Sequence, residues 1–395
     1  MNILTIALLS VACQQWDSGD PTADEQRVLE VINRARSNPT AEGARLSTFS
    51  PIALPGGNIA EGVDTPANVG ARPPLTMNKN LLATARAHSI DMHDRDYFAH
   101  DTKSPPTQTW AQRINAGGYA GAIGENIAAS SSGTAAFLED FLMVDWNFDQ
   151  NGNPVGYPHR GHRVNLLDVD SGGAPYREIG IGYHLGAFKS GLKDFLTEDF
   201  GRNANGPFVL GVVYNDKNGN NFYDLGEGIK GVTVRVSTAP GVFAVTTLSG
   251  GFAFPANTAG GMITIEFTGG PIGAGPYPKA VTPGFSGENV KVDFKLSEAG
   301  LPDTDGDGLP DAYETATFGD LTRNGNADFD SDSYSDLAEF NAGSDPLSAG
   351  SVPTGGSGGG PPPGGNSDDG GGGGGCGLTG LEPLLALALL RLLRR

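Results

Sequence analysis

The stretch ARAHSIDMHDRDYFAHDT, residues 85–102, decides how the front of the chain folds. It continues an apolar pattern at helical spacing that begins after Asn78, a residue type that caps helix N-termini. The spacing predicts a helix over 78–92, after which the chain leaves the helix and reaches His100. A histidine therefore follows closely on a helix with one buried face.

Helical and strand patterns mix on either side of this stretch. Residues 23–46, behind the capping candidate Thr22, and residues 134–144 carry apolar side chains at helical spacing. Residues 178–184, EIGIGYH, alternate as in a strand. The pattern predicts an α+β domain over 22–203.

From residue 207 the sequence changes to short β-like runs separated by Gly, Asn and Pro turns. The runs are FVLGVVY, GVTVRV, FAVTTL, MITIEF and VKVDFKL. Several short strands at this spacing are typical of an all-β sandwich. We expect a separate small β-sandwich over 207–297.

Composition limits both the partners and the extent of the core. The chain has 395 residues, 60 Gly, 27 Pro and a formal net charge of −19. That length allows two or three domains, but part of so Gly- and Pro-rich a chain cannot be core. The negative charge argues against nucleic acid and anionic membrane surfaces as partners, because both need a basic face. It favours cations.

Both ends of the chain carry signs of export. Residues 1–13 form an apolar run that ends in small residues before a cysteine, and they predict an export signal. The run resembles a lipoprotein signal with Cys13 as the lipidated residue, and ordinary secretory cleavage is the alternative. Residues 347–375 predict a flexible linker. Residues 376–395 resemble bacterial C-terminal sorting tails, too short for a stable span and suited to transient membrane attachment. We expect a secreted or cell-surface protein.

Two acidic loops carry the spacing of a calcium site. Calcium takes six to eight oxygens, which a twelve-residue loop supplies from positions 1, 3, 5, 7, 9 and 12, with glycine at position 6. In the first loop these ligands are Asp303, Asp305, Asp307, Leu309 through its carbonyl, Asp311 and Glu314. In the second, where Ser333 replaces the glycine, they are Asp328, Asp330, Asp332, Tyr334 through its carbonyl, Asp336 and Glu339.

Each acidic loop holds five of these carboxylates, and a like-charge pair at ~4 Å costs roughly 1 kcal/mol even in water. The loops are therefore expected to need a divalent ion, a solvated acidic linker being the alternative. No apolar helix leads into either loop, but a helical turn can follow each one. The segment 300–346 resembles thrombospondin type 3 or dockerin-like repeats, which implies a calcium-stiffened stalk.

A third, less charged loop fits the same positions between two predicted strands. Its candidate ligands are Asp216, Asn218, Asn220, Phe222 through its carbonyl, Asp224 and Glu227. Asn221 stands at the glycine position, where it tolerates a left-handed turn. The surrounding sequence resembles the calcium-binding B-type repeats of bacterial surface adhesins, and a plain Asn/Gly hairpin loop is the alternative.

The front of the chain carries four ordered motifs: ARAHSIDMHDRDYFAHDT, GENIA, GHRVNLL and REIGIGY. Together they resemble the CAP superfamily of cysteine-rich secretory, antigen 5 and pathogenesis-related proteins, also called the SCP domain. The resemblance implies an α-β-α sandwich over 22–203, with a groove that contains two histidines and two acids.

Carried over by motif, the resemblance makes His100, Glu125 and His162 the groove residues. The fourth position remains open. The helix reads FLEDFLMVDW, and counting from its aromatic residues gives Asp145 as the preferred acid, with Asp149 and Glu139 as alternatives.

Two imidazoles and one or two carboxylates in a cleft can hold zinc or another divalent ion, or they can form a neutral hydrogen-bonded cluster. The sequence has no GxSxG, no HExxH and no cysteine within a predicted domain, so no nucleophile stands out. His88 is expected to be packed or to cap its helix. His93, His159 and His184 are expected on the surface.

These observations favour binding over catalysis. The CAP resemblance implies a groove that takes a small apolar, lipid, sterol or peptide ligand. The first alternative is a metal-dependent hydrolase or peptidase, with Glu125 as general base and the histidines as ligands. The second is a structural, adhesin-like surface protein whose groove has no ligand.

Overall fold

The structure is a computed structural model that describes residues 13–49, 53–103, 105–131, 134–148, 154–156, 160–169, 175–186 and 193–353. The predicted export signal at 1–12 and His159 lie outside the described residues. So do the sorting tail and all of the linker beyond residue 353. The expectations for these segments therefore stay predictions.

Helices and strands alternate irregularly in the first half of the chain. These elements are β1 (Gln14–Gln15), α1 (Ala23–Ser37), α2 (Pro39–Leu46), β2 (Thr76–Met77), α3 (Lys79–Asp94), α4 (Trp110–Ala116), β3 (Ala122–Ser130), α5 (Ala135–Val144), β4 (Trp146–Phe148), β5 (Pro154–Gly156), α6 (Gly161–Leu167), β6 (Glu178–Leu185) and β7 (Asp194–Arg202).

Strands dominate the second half, and two short helices end the described part. These elements are β8 (Phe208–Tyr214), β9 (Thr233–Val236), β10 (Ala239–Val245), β11 (Gly251–Pro255), β12 (Ile263–Thr268), β13 (Tyr277–Val281), β14 (Val290–Lys291), β15 (Phe294–Lys295), α7 (Asp311–Thr317) and α8 (Asp336–Ala342). The two helices are the turns predicted to follow the acidic loops.

The helix starts follow local capping chemistry. Thr22 caps α1 as predicted, through a capping box. The single helix predicted over 23–46 is wrong, because the chain breaks before Pro39, which has no N–H and begins α2. Asn38 ends the first helix and caps the second, accepting a hydrogen bond from Ala41 N at 3.1 Å.

The front sheet has the strand order β2-β6-β7-β3, with β3 and β6 both antiparallel to β7. Helix α3 lies on one face at backbone contact. A Cβ at Gly180 would come within 1.9 Å of Leu81 C, and one at Gly182 within 2.2 Å of Ala85 C. The two glycines of EIGIGY therefore permit the close approach of α3.

The opposite face of this sheet carries other helices. Ile179 and Ile181 of β6 are buried in one apolar cluster with Ile32 of α1 and Leu138 of α5. Helices thus cover both faces of a mixed sheet. The predicted α+β content is confirmed, and the assignment to the CAP architecture stays a prediction.

Two further sheets enclose the second core. One has the order β1-β10-β9-β12-β13, and the other places β8 between β11 and β14, with β15 also paired to β8. Val213, Phe252 and Phe267 are among the buried side chains of this core. Strand β1 joins β10 in parallel, with Gln14 opposite Val242. The residues just after Cys13 therefore extend a sheet whose other strands lie more than two hundred residues further along the chain.

The acidic segment packs on this second core. Leu309, Leu337 and Phe340 are buried in the same apolar cluster as the strands. Lys230 N also donates a hydrogen bond to Asn341 O at 2.9 Å. The segment is therefore part of a shared core and does not stand apart as a stalk, because its few apolar side chains need the sheets to be buried.

Candidate functional site

The first acidic loop brings three carboxylates together. One oxygen from each of Asp303, Asp305 and Asp307 lies within 4.8 Å of the other two. The loop closes on Asp303, whose oxygens accept hydrogen bonds from Gly306 N at 2.8 Å and Gly308 N at 3.0 Å. Positions 1, 3 and 5 of the predicted site thus lie where one calcium ion can reach them.

The second acidic loop repeats this arrangement. Asp328, Asp330 and Asp332 also place one oxygen each within 4.8 Å of one another. Asp328 accepts hydrogen bonds from Ser331 N at 2.7 Å and Ser333 N at 2.9 Å. The two loops therefore share one backbone design.

The sixth position is left-handed in all three predicted loops. Gly308 has φ 97°, Ser333 has φ 83° and Asn221 has φ 59°. A side chain in this region costs roughly 1–2 kcal/mol relative to its ordinary conformations. The departures from glycine thus change the energy of the turn and leave its shape intact.

The glutamates at position 12 are buried next to the aspartates. Several of the glutamate oxygens have no hydrogen-bond partner. Glu314 and Glu339 are both 0 % exposed. Both carboxylate oxygens of Glu314 and Oε2 of Glu339 lack a partner. Burial, followed by repulsion from the neighbouring aspartates, raises the pKa of each glutamate to about 7. A cation beside these groups would favour their charged form and so lower the pKa of each glutamate again.

The aspartates at position 9 are engaged elsewhere. Asp311 accepts hydrogen bonds from Thr304 N and Oγ1, both at 2.7 Å. Asp336 accepts from Phe329 N at 2.9 Å and pairs with Arg323. In EF-hand loops this position commonly acts through a water. Here both aspartates hold the shape of the loop.

The third loop differs because protein groups compensate its charge. Asp224 pairs with Arg27 of α1 at 3.1 Å and accepts hydrogen bonds from the amides of Asn218 and Asn220 at 2.8 and 2.7 Å. Asp216 lies 3.7 Å from Lys295 Nζ.

Helix α1 also holds the tip of the third loop. The guanidinium of Arg27 lies 4.4 Å from the centre of the Phe222 ring, and that of Arg34 lies 4.6 Å from it. Glu227 accepts hydrogen bonds from Lys217 N and Asp224 N at 3.1 and 2.9 Å. This loop therefore bridges the two halves of the chain.

In the front half, His100 forms a pair with Glu125 of strand β3. His100 Nδ1 lies 2.8 Å from Glu125 Oε1, and the side chains are 46 % and 1 % exposed. Arg113 of α4 pairs with the other Glu125 oxygen and donates to His100 O at 2.9 Å. Sequence reasoning missed Arg113, although a buried glutamate requires a nearby cation.

His162 and Asp145 form a second pair. His162 Nδ1 lies 2.7 Å from Asp145 Oδ1, and the side chains are 20 % and 0 % exposed. Asp145 follows α5 in a left-handed conformation with φ 59°, which turns its carboxylate toward α6. The structure thus brings together the preferred acid and its histidine. The alternative Glu139 is fully buried next to Glu198, and the side chain of Asp149 lies outside the described residues.

The two pairs do not form one compact metal cluster. His100, Glu125 and His162 are not among the sets of described residues whose donor atoms all lie within 4.8 Å of one another. Each histidine instead directs Nδ1 to a carboxylate, the usual support behind a metal-ligating imidazole. The geometry of the described residues therefore shows Glu125 in contact with His100 and does not support zinc coordination by Glu125.

Further acids lie buried beneath the two pairs, and of these only Glu139 was a candidate from the sequence. Burial, and then the proximity of Glu125, raise the pKa of Asp199 well above its ordinary value. Burial also raises the pKa values of Glu139 and Glu198, which lie beside each other. Like charges this close cannot both ionise, so the pair retains a proton above the ordinary range.

A cleft of about 740 Å³ opens above the His100–Glu125 pair. Its walls include Trp110, Ile123 and Tyr176 together with the polar pair. This volume lies within the 300–1,000 Å³ range typical of small-molecule sites. The lining also includes Asp101 and Asn165, so it is more polar than the walls of most such sites. His162 and Asp145 are not among the residues that line this cleft.

The remaining described histidines divide into two kinds. His88 is fully buried, and burial and the charge of Arg113 lower its pKa to about 4, so it is a packed residue as predicted. His93 and His184 were expected on the surface, but each is only partly exposed and their ring centroids lie 4.4 Å apart.

The comparisons with known proteins bear on the acidic segment. Residues 303–319 match the bacterial TSP3 repeat. This supports the predicted thrombospondin type 3-like, calcium-binding character of the first loop, a kind of repeat typical of extracellular proteins. No curated protein matches the chain. Among the described residues, no helix is long and apolar enough to cross a membrane.

Proposed function

We propose that the chain is an exported calcium-binding protein whose CAP-type front domain, residues 22–203, binds a small apolar, lipid, sterol or peptide ligand. The observation that carries the proposal is the cleft above His100 and Glu125, since it places the apolar side chains of Trp110, Ile123 and Tyr176 beside several polar groups. The acidic segment 300–346 and the sandwich at 207–297 provide a calcium-dependent support for this domain.

We expect calcium to bind more tightly in the two acidic loops than in the third loop. Three clustered aspartates and a buried glutamate with unpartnered oxygens are present in each loop. The carbonyls of Leu309 and Tyr334 complete the expected sets. The third loop is a weaker site, because Arg27 and Lys295 already compensate its carboxylates.

The groove binds its ligand by burying apolar surface against Trp110, Ile123 and Tyr176, while His100 and Asp101 orient a polar end. Each buried aromatic or aliphatic contact contributes roughly 25 cal/mol per Å² of apolar surface. A ligand with a hydrocarbon body and one hydroxyl or carbonyl group matches these walls.

The test is uptake of a fluorescent sterol and of a fluorescent fatty acid by the full chain with calcium present. We expect Trp110→Ala to weaken uptake at least tenfold, and Phe285→Ala, at an exposed position in the second half, to leave it unchanged. Equal uptake by both variants, or no uptake by the folded wild type, would contradict the proposal and favour an adhesin-like role.

A metal-dependent hydrolase or peptidase remains the second candidate, because both groove histidines have a carboxylate behind them. If zinc or another divalent ion binds, the imidazoles of His100 and His162 would hold it, and it would polarise a carbonyl of the substrate. Hydrolysis of a peptide or ester substrate that Glu125→Gln abolishes without unfolding would select this candidate.

A further inference from the structure

A second cluster of metal-ligating side chains lies where the end of α3 meets the end of β6. His93 and Asp94 occupy the last turn of α3, and His184 is the next-to-last residue of β6. The two imidazole rings meet edge to face, with an interplanar angle of 64°. The cluster shares no residue with the cleft or with the calcium loops.

The donor atoms of this cluster are close enough to share one ion. His93, Asp94 and His184 each place one ligand atom within 4.8 Å of the other two. His93 Nδ1 lies 2.8 Å from Asp94 Oδ1. His184 Nε2 is buried and has no hydrogen-bond partner. A buried polar atom without a partner costs roughly 1–3 kcal/mol, which a bound cation would offset.

The surroundings favour a cation with a preference for nitrogen. The carbonyl end of a helix carries partial negative charge, and His93 and Asp94 lie in the last turn of α3. Two imidazoles and one carboxylate suit transition metals such as Zn²⁺ and Cu²⁺, whereas calcium prefers an all-oxygen site.

Space for the site depends on Gly186, just beyond β6. A Cβ at this position would lie 2.4 Å from His93 Nε2, so any larger residue would displace the imidazole. Asp94 is 62 % exposed and His93 is 19 % exposed, which leaves an approach from solvent. Zinc–ligand distances of about 2.0–2.2 Å are within reach by small side-chain rotations.

We propose that His93, Asp94 and His184 form a binding site for a divalent transition metal such as Zn²⁺. The site is a structural clamp that fastens the end of α3 to the end of β6.

The experiment is a Zn²⁺ titration of the full chain by calorimetry, with saturating calcium so that the acidic loops are filled. We expect His93→Gln and His184→Gln each to weaken this Zn²⁺ site by at least ten- to a hundredfold, the loss that follows even removal of a supporting group. His100→Gln and His162→Gln are the controls, because they affect only a metal in the groove. Circular dichroism verifies that every variant is folded.

Electron paramagnetic resonance of bound Cu²⁺ supplies a readout independent of affinity. The wild type should show coupling to two imidazole nitrogens, and His184→Gln should show one fewer. A folded His93→Gln/His184→Gln double variant that retains the Zn²⁺ affinity and nitrogen couplings of the wild type would overturn the proposal. Loss of the site in the controls, but not in this double variant, would also overturn it and place the metal in the groove.

Discussion

The front half of the chain and the acidic loops contain similar carboxylates, but the negative charge of these carboxylates is compensated in different ways. In the front half, Glu125 faces His100 and Arg113, and Asp145 faces His162. In each acidic loop three aspartates lie together beside a buried glutamate with at least one unpartnered oxygen. The carboxylates of the front half are therefore compensated by the chain itself, whereas those of the loops could be compensated by a calcium ion.

Removal of calcium should produce the largest loss of stability. The loss should be confined to the half of the chain that carries the acidic loops. A ligand at a thousand times its dissociation constant stabilises the native state by about 4 kcal/mol per site. Excess chelator should therefore lower the melting temperature of the second half strongly, because Leu309, Leu337 and Phe340 leave the shared core as the loops open. Differential scanning calorimetry measures this shift. Melting curves that coincide with and without chelator would mean that calcium does not stabilise the acidic loops.

Glu125→Ala should be the most damaging single change in the groove. It leaves Arg113 buried without its carboxylate, and breaking a buried ion pair costs roughly 3–5 kcal/mol. Lys79→Ala is the control, since it removes an exposed pair with Asp17 worth about 0–1 kcal/mol. Urea unfolding in the presence of calcium separates the two variants. Equal losses of unfolding free energy in the two variants would mean that the Glu125–Arg113 pair does not stabilise the folded protein.

The buried acids below the groove predict a pH dependence with a defined sign. An unfolded glutamate loses its proton near pH 4.3, whereas the Glu139–Glu198 pair holds one to higher pH. The folded state then binds more protons, so the free energy of unfolding falls as pH rises above that point, by at most about 1.4 kcal/mol per pH unit for one proton.

Glu139→Gln should flatten this dependence, because an amide keeps the shape of the protonated acid and does not titrate. Urea unfolding at pH 5 and pH 8, both with calcium, provides the measurement. The variant should match the wild type near pH 5 and exceed its stability at pH 8. A wild type that gains stability over this range would show that the pair is ionised in the folded protein.

Arg27→Ala should give the smallest change in stability. It should also distinguish the third loop from the two acidic loops. The lost pair with Asp224 and contact with Phe222 are each worth about 1 kcal/mol or less. Calcium affinity at the third loop should rise severalfold, because Asp224 loses its protein cation. Calorimetric titration after the two tighter sites are filled tests this, and an unchanged third affinity would mean that Arg27 does not compensate the loop.

Much of the loops and part of the groove could be predicted from local spacing. The positions of Asp303 and Asp328 follow from a twelve-residue pattern, and Ser333 keeps the left-handed turn that glycine was expected to make. The expectation that His100 and Glu125 share a site came instead from the resemblance of the ordered motifs to the CAP superfamily, and the two side chains are in contact.

What could not be predicted depends on contacts between distant residues. In the sequence, nothing distinguishes Glu198 and Asp199 from the polar residues of an ordinary strand. Only the packing of β3 and β7 buries them below the groove. The two residues of β1 are too short for any alternation to reveal a strand. The pairing of His93 with His184 likewise depends on how α3 crosses β6.

Hydrogen exchange of the full chain, with calcium and with excess chelator, tests the central contrast most directly. We predict that removal of calcium raises amide exchange in residues 303–342 and at the strands that share their core. Peptides from α3, β3 and α6, which carry or adjoin the groove pairs, should exchange at unchanged rates. Exchange that is the same in both conditions across 303–342, or that rises equally in the groove peptides, would contradict the account.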